Sequence, residues 1–139
     1  MADQGTVAAL REALEDEYRA RATYRRIIDK FGPVRPFVNI VEAEERHAEA
    51  LLTQFRRLGI APQPDTWPAR VVAPATLAEA CAAAVQAEIE NAAMYDRLLA
   101  QITDPQVGAV MLRLKVASQE RHLPAFRRCL ERHGGPRQT

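Results

Sequence analysis

The amino-acid sequence predicts an all-α fold, a four-helix bundle made of two helical hairpins that a long crossover joins. Apolar residues recur at alternating spacings of three and four along most of the chain, as expected for helices that bury one face. Glycine, proline and capping residues divide the chain of 139 residues into four such segments. This length suits a single domain over residues 1–139.

The first predicted hairpin covers the N-terminal half. A helix over about 6–31 is expected to stop at Gly32-Pro33, because glycine ends helices and proline cannot continue them. A second helix is expected over 36–58, with a proline in its first turn. Residues 59–75 contain four prolines and have no helical period, so we expect them to form the crossover.

The second predicted hairpin is marked by two capping patterns. Thr76, with Glu79 three residues later, is typical of a capping box and starts a third helix over 76–102. Asp104-Pro105 supplies an N-cap and a first helical residue for a fourth helix over 105–133.

Charge and composition disfavour several classes of protein. Lys plus Arg (19) nearly balance Asp plus Glu (18), so the chain carries no basic excess for nucleic acid. The N-terminus lacks a signal-peptide pattern and no apolar run could span a bilayer, so we expect a cytoplasmic protein without a membrane partner. Cys81 and Cys129 form no C-x-x-C motif, and we expect two small buried thiols.

Each predicted inward face is apolar at both ends and polar in the middle. The polar part contains three carboxylates and two imidazoles: Glu17, Glu44, Glu88, His47 and His122. An ionised carboxylate buried without a partner costs several kcal/mol, and a bound cation is the simplest common partner for such a cluster. For the fourth helix we expect an inward face of Leu112, Val116, Gln119, His122, Phe126 and Leu130.

The spacing of Glu44 and His47 places both side chains on one helix face, one turn apart. A Glu on each of two helices, with Glu-x-x-His on each of the other two, is a known way for a bundle to build a dinuclear carboxylate site. Oxygen and imidazole ligands suit iron, manganese or zinc.

The two halves of the chain repeat each other. Glu45-Arg46-His47 matches Glu120-Arg121-His122 on the second helices of the halves. On the first helices, the matched pairs include Glu17 with Glu88 and Tyr24 with Tyr95. Related hairpins facing each other across a pseudo-two-fold axis would bring both sets of candidate ligands to the centre.

These motifs resemble the ferritin-like di-iron carboxylate superfamily, which includes rubrerythrins, erythrins and bacterioferritins, and most closely a bacterial family of ferritin-like domains. The family motif in each half is a Glu on the first helix and D-E-x-R-H on the second. Here the second-helix motifs read Ala43–His47 and Ser118–His122. The resemblance implies metal ligation by Glu17, Glu44, His47, Glu88 and His122.

The second half departs from the family pattern. Gln119 stands where a Glu is expected, and it is either a weak one-point ligand or an amide that hydrogen-bonds beside the ions. Ala43 and Ser118 replace an acidic residue that orients a ligand histidine in the family. Pro124 removes the hydrogen bond to the Glu120 carbonyl, which predicts a kink or bulge. A bulge of one residue would turn Glu120 inward as a replacement ligand; otherwise Glu120 is a solvated charge.

The resemblance implies a non-haem protein with two irons per chain, or one iron plus manganese. It would oxidise Fe(II) or reduce peroxide or dioxygen, as a ferroxidase or a peroxidase that needs an external electron donor. Tyr24 and Tyr95 would then be either core tyrosines that bond to carboxylates or groups with a redox or proton role. With no fifth helix in the pattern, we expect a monomer or homodimer.

Two alternatives belong to other classes. One is a metal-binding or structural bundle that holds a single ion such as zinc and catalyses no reaction. The other is a partner-binding helical module that has lost its metal, which would leave three buried carboxylates without a counter-charge.

Overall fold

The structure is a computed structural model that describes residues 2–134. Its first three helices are α1 (Gln4–Phe31), α2 (Phe37–Leu58) and α3 (Leu77–Leu99). A fourth helical rod consists of α4 (Pro105–Ala117), a π-helical turn (Ser118–His122) and α5 (Leu123–His133). The connection between α2 and α3 contains a short 3-10 turn, Trp67–Ala69, and residues 2–134 contain no strand. The chain is therefore the all-α bundle that the sequence predicts.

Side-chain caps fix the starts of the last two helices. The N–H of Glu79 donates to the hydroxyl oxygen of Thr76 at 3.1 Å. The N–H groups two and three residues after Asp104 both donate to its carboxylate, each at 3.0 Å. Both caps were predicted from the sequence, whereas α3 ends at Leu99 rather than near residue 102, since the chain must reverse before Asp104 can cap α4.

The helices pack as two neighbouring pairs. α1 lies along α2, and α3 lies along α4 and α5. The pairs meet where α1 contacts α3 and where α2 contacts α4. Within residues 2–134, no helix combines the length and the apolar character that a membrane span requires.

The apolar core is split into two clusters. One cluster includes Leu14, Leu51 and Met111, and the other includes Phe37 and Phe126. Between them, midway along the helices, lie the buried polar side chains Glu17, Glu44, Glu88, Asn91, Ser118 and His122. The polar layer predicted at the middle of the inward faces is therefore confirmed.

The fourth rod changes register at the π-helical turn. Pro124 has no N–H and cannot donate to the Glu120 carbonyl, and the N–H of Leu123 donates to the carbonyl of Ser118, five residues back. Because a π turn holds one extra residue, Ser118 and His122 lie one turn apart and both are buried. The predicted bulge is confirmed.

The predicted inward face of this rod is wrong on the N-terminal side of the turn. Leu112 is 50% exposed and Val116 is only partly buried. The buried residues there are Val107, Val110, Met111 and Leu114. An α-helical period counted backwards from His122 slips by one residue when it crosses a π turn, which accounts for the error.

The cysteines are joined, which corrects the expectation of two free thiols. Cys81 of α3 and Cys129 of α5 form a disulfide, with their Cα atoms 5.7 Å apart and both side chains fully buried. The two residues face each other because α3 packs along α5. A cross-link over this sequence separation of 48 residues stabilises a fold by roughly 4 kcal/mol in the chain-entropy model.

Candidate metal centre

Five side chains from all four helical rods meet in the polar layer. α1 supplies Glu17, α2 supplies Glu44 and His47, α3 supplies Glu88, and the π turn supplies His122. Four of them are at most 4% exposed, and the side chain of His47 is 11% exposed. The structure thus brings together every ligand that the resemblance implies, apart from any at Gln119 or Glu120.

The first group consists of Glu17, Glu44 and His47. Nδ1 of His47 lies 3.5 Å from Oε1 of Glu17 and 3.2 Å from Oε1 of Glu44. The ligand atoms of the three residues lie within 4.8 Å of one another, a separation that allows one cation to contact all three.

The second group consists of Glu44, Glu88 and His122. Nδ1 of His122 lies 3.7 Å from Oε2 of Glu44 and 3.4 Å from Oε1 of Glu88. These ligand atoms also lie within 4.8 Å of one another. The imidazole rings of His47 and His122 stack nearly parallel, with centroids 5.4 Å apart.

Glu44 belongs to both groups. Its Oε1 faces His47 and its Oε2 faces His122, so the two oxygens of one carboxylate point to two neighbouring cation positions. A carboxylate can bridge two ions in this way, as in dinuclear carboxylate bundles. The arrangement is two ligand groups that share one carboxylate.

Several buried polar atoms of the centre have no hydrogen-bond partner among residues 2–134. They are Oε1 of Glu17, Oε1 of Glu44 and Nδ1 of His122. A buried polar atom without a partner costs about 1–3 kcal/mol, and more when it is charged. All three are ligand atoms of the groups above, so the residues fit a bound metal ion.

The protonation of the carboxylates is uneven. Burial, together with the negative charges of Glu17 and Glu88, raises the pKa of Glu44 well above its ordinary value. Burial also acts to raise the pKa of Glu17, but the neighbouring imidazole of His47 and carboxyl of Glu44 outweigh it and lower that pKa to about 2. Without a cation, the shared carboxyl of Glu44 therefore keeps its proton to a higher pH than an ordinary carboxyl does.

Two tyrosines hold the outer oxygens of the ligand carboxylates. Tyr24 donates to Oε2 of Glu88 at 2.8 Å, and Tyr95 donates to Oε2 of Glu17. In both carboxylates the other oxygen, Oε1, stays directed at a histidine. Burial, followed by the charge of the partner carboxylate, raises the pKa of both phenols well above 10, so both remain protonated donors.

Ser118 and Asn91 complete the centre, and neither was predicted to have this role. The Ser118 hydroxyl lies 2.8 Å from Oε1 of Glu88 and 2.5 Å from Oδ1 of Asn91. Nδ2 of Asn91 donates to Asp16 at 2.7 Å and reaches Glu17 at 3.4 Å. Asn91 lies three residues after Glu88 and so on the same face of α3, and the signal for Ser118 was Pro124, which produces the turn that buries it.

Gln119 and Glu120 do not reach the centre. Both are exposed on the outer side of the π turn, whereas Ser118 takes the inward position one turn before His122. The expectation that Gln119 is a weak ligand, or Glu120 a replacement ligand, is wrong because the bulge turns a different residue inward. The centre therefore has three carboxylates, with a neutral hydroxyl in the place of a fourth.

A cavity of about 500 Å³ between α2 and α4 reaches His47, the most exposed of the five candidate ligands. Its lining includes three exposed arginines, Arg46, Arg113 and Arg121, and, among the residues that the structure describes, no acidic residue. The side of the centre next to His47 is thus electropositive and open to solvent.

The chain is similar in fold to a solved protein of unassigned function. The crystal structure of hypothetical protein MJ0754 from Methanococcus jannaschii matches it with a TM-score of 0.84 and 19% sequence identity. The match covers 99% of this chain and 86% of that chain, and at this identity it establishes the fold alone. No protein-family model matches the chain, and the comparison with curated proteins found no match. Fold and site together define a helical bundle with buried Glu/His groups that could hold a metal ion.

Proposed function

We propose that the protein is a ferritin-like, non-haem metal protein with a dinuclear carboxylate/histidine centre. Its two hairpins, α1 with α2 and α3 with the fourth rod, are joined by the crossover of this class. The observation that carries the proposal is the shared carboxylate of Glu44, whose two oxygens face two separate Glu/His groups. A single structural ion would not need a second buried group of this kind.

We further propose iron as the metal, and the oxidation of Fe(II) or the reduction of peroxide or dioxygen as the activity. Bound iron supplies electrons one at a time to such oxidants. Three carboxylates offset three of the four positive charges of two divalent ions, so the loaded centre keeps a net charge of about +1. Such a centre favours an anionic or polarisable oxidant at its open side.

Within this function, the tyrosines position the ligands. By holding Oε2 of Glu88 and Oε2 of Glu17, Tyr24 and Tyr95 keep both Oε1 atoms directed at the histidines, where the ions would bind. Ser118 is neutral and short, so it leaves room beside Glu88 where a fourth carboxylate would occupy a coordination position. The phenols are also placed to pass a proton or an electron to the ligand carboxylates.

A second candidate function is a bundle that holds one ion, such as zinc, and catalyses no reaction. The observation that favours it is Ser118, because replacing a carboxylate by a hydroxyl removes one ligand charge from the second group. The ion would then sit in the first group, with Glu17, Glu44 and His47.

An iron centre that repeatedly reduces peroxide or dioxygen without consuming Fe(II) needs electrons from another donor outside the chain. We propose that the donor docks at the α2/α4 cavity, where the three arginines lie around His47. The positive charge of this surface fits an acidic redox protein. Neutralising Arg113 and Arg121, which are not ligands, should slow reduction of the loaded centre by an anionic reductant such as dithionite and weaken the dependence of the rate on salt.

Metal analysis tests the proposal. Protein purified without chelator, then loaded anaerobically with Fe(II), should take up about two irons per chain and oxidise them when mixed with oxygen or peroxide. Uptake of one zinc and no oxidation of Fe(II) would instead support the second candidate. The matched variants are Glu44→Gln, which should lose the iron, and Glu42→Gln, an exposed change on the same helix that should keep it.

A further inference from the structure

A second cavity reaches the candidate metal centre from another side. It has a volume of about 310 Å³ and opens between α1 and α3. Tyr24, Glu44 and Glu88 lie at its inner end. Oε1 of Glu44, a buried atom without a hydrogen-bond partner among residues 2–134, belongs to a residue that lines it. The cavity therefore links solvent with the ligands.

The walls of the cavity are small and apolar. They are formed by Ala20, Ile27, Ala80, Ala83, Ala84 and Ala87. The four alanines of α3 lie at helical spacing along one side of the helix, and they leave open a space that larger side chains would fill. A wall of this kind offers contact area but few hydrogen bonds, so it selects for shape and apolar character.

The volume is larger than a small oxidant needs. A site for one water molecule requires about 10–15 Å³ of such volume, and an apolar cavity of about 150 Å³ accommodates benzene. At about 310 Å³ the cavity could hold a molecule of about two rings, and it matches the lower end of small-molecule pockets, about 300 Å³. Dioxygen or peroxide alone does not account for it.

Within residues 2–134, the mouth of the cavity offers no free cation. Arg19, the basic residue in the lining, forms an ion pair with Asp16. Glu90 accepts a hydrogen bond from Gln86 at 3.0 Å, so the remaining charge at the mouth is negative. A carboxylate or phosphate ligand would find no counter-charge there, and the apolar walls favour a ligand without charge.

We propose that the α1/α3 cavity admits a neutral, largely apolar organic molecule of one or two rings to the open side of the metal centre. The inference that the cavity is a substrate entrance rests on the proposed metal function. The inference that the cavity binds such a molecule does not. The ligand would place its polar end, if it has one, next to Glu88 and Tyr24, and its rings against the alanines.

Two fluorescent probes that differ in one charged group test the ligand class. 2-Methoxynaphthalene is neutral and has two rings, and naphthalene-2-sulfonate carries the same ring system with a sulfonate. The neutral probe should bind once per chain, at least tenfold more tightly than the sulfonate, and naphthalene should displace it. Equal affinities for the two probes would overturn the proposal.

A matched pair of variants tests the location. Ala87→Phe fills the cavity from the partly buried wall, whereas Ala82→Phe adds the same side chain on the exposed side of α3. Ala87→Phe should weaken binding of the neutral probe at least tenfold, and Ala82→Phe should leave it unchanged. Equal effects of the two variants would place the probe elsewhere and overturn the proposal. If light scattering shows a dimer that Ala87→Phe dissociates, and neither probe binds, the cavity is a self-interface and the proposal is also wrong.

Cobalt-loaded protein separates this inference from the proposed function. If the cavity leads to the metal, the neutral probe should shift the visible absorption of bound Co²⁺, and Ala87→Phe should abolish the shift. A protein that binds the probe but takes up no metal would refute the proposed function and leave the binding cavity supported. If the probe binds to metal-loaded protein without changing the spectrum, the proposal that the cavity leads to the metal centre is wrong.

Discussion

Tyr24 of α1 donates a hydrogen bond of 2.8 Å to Glu88 of α3. The matching bond runs in the opposite direction, from Tyr95 of α3 to Glu17 of α1. Because the two halves repeat, each half supplies the tyrosine that holds the carboxylate of the other half. The two bonds tie α1 to α3 across the centre and fix which oxygen of each carboxylate is left for a metal ion.

Removing either phenol should loosen one half of the centre. We expect Tyr24→Phe to weaken binding of the ion that contacts Glu88, and Tyr95→Phe to weaken binding of the ion that contacts Glu17. Each loss should be about tenfold to a hundredfold in affinity, the effect typical of lost outer partners of ligands. Titration with Co²⁺ measures it. Tyr18→Phe, a buried ring under Arg21 that takes no part in the centre, is the control, and an equal loss there would contradict the assignment.

Metal affinity should rise with pH. Since burial and the neighbouring carboxylates raise the pKa of Glu44, the metal-free protein holds a proton there that the ion must displace. Below that raised pKa, affinity should fall by up to about tenfold per pH unit from this one proton. Zn²⁺ titrations from about pH 5.5 to 8 measure the slope, as expected for linked proton release. A pH-independent affinity would show that Glu44 is already ionised.

The same carboxyl should destabilise the metal-free fold. The folded-state pKa of Glu44 is raised above its ordinary 4.5, so its stabilising contribution is present below 4.5 and is lost as pH rises through the folded-state pKa. Glu44→Gln should therefore stabilise chelator-treated protein at neutral pH by about 1–3 kcal/mol, and this gain should vanish near pH 4. Urea unfolding measures the change, with Glu42→Gln as control. A variant less stable than the parent at neutral pH would contradict the pKa shift.

Restoring a fourth carboxylate should strengthen the second group, but only at the position that faces inward. Ser118→Asp places a carboxylate one turn before His122, and we expect it to tighten binding of the second ion at least tenfold. Gln119→Asp adds the same charge on the exposed side of the rod and should leave the affinity for the second ion unchanged. The two variants can be compared by anaerobic Fe(II) titration. The opposite result would mean that the fourth rod has the register of an unbroken α-helix.

The disulfide should stabilise the fold and should have no effect on metal binding. We expect Cys81→Ala with Cys129→Ala to lower the free energy of unfolding by about 2–4 kcal/mol, since the cross-link restricts the unfolded chain. Metal stoichiometry should stay the same, because both cysteines lie outside the two ligand groups. Thermal unfolding and metal analysis of the double variant test both parts, and loss of metal would place the cysteines in the centre.

Local signals made most of the fold predictable. Thr76 and Asp104 cap the helices whose starts they mark, because a cap depends only on residues a few positions away. The buried carboxylates were predictable for a different reason: Glu17 and Glu88 sit at equivalent positions of a repeat, on faces that are otherwise apolar. A single helix would not have distinguished them from surface residues.

The errors came from features that helical periodicity does not contain. Pro124 indicated a bulge, but the choice of Ser118 rather than Glu120 as the inward residue depends on where the extra residue is inserted. The bond between Cys81 and Cys129 depends on the distance between α3 and α5, which the separate patterns of two helices do not fix. Both features depend on how one segment is positioned relative to another, which the periodicity of a single helix does not show.

Anomalous diffraction from crystals of the metal-loaded protein tests the dinuclear centre most directly. Two peaks should lie about 3.5–4 Å apart, the spacing typical of two-metal sites. One peak should contact Glu17 and His47, the other Glu88 and His122, and Glu44 should bridge the two. A single peak that Glu44 does not contact, or no peak in the polar layer, would contradict the shared-carboxylate centre.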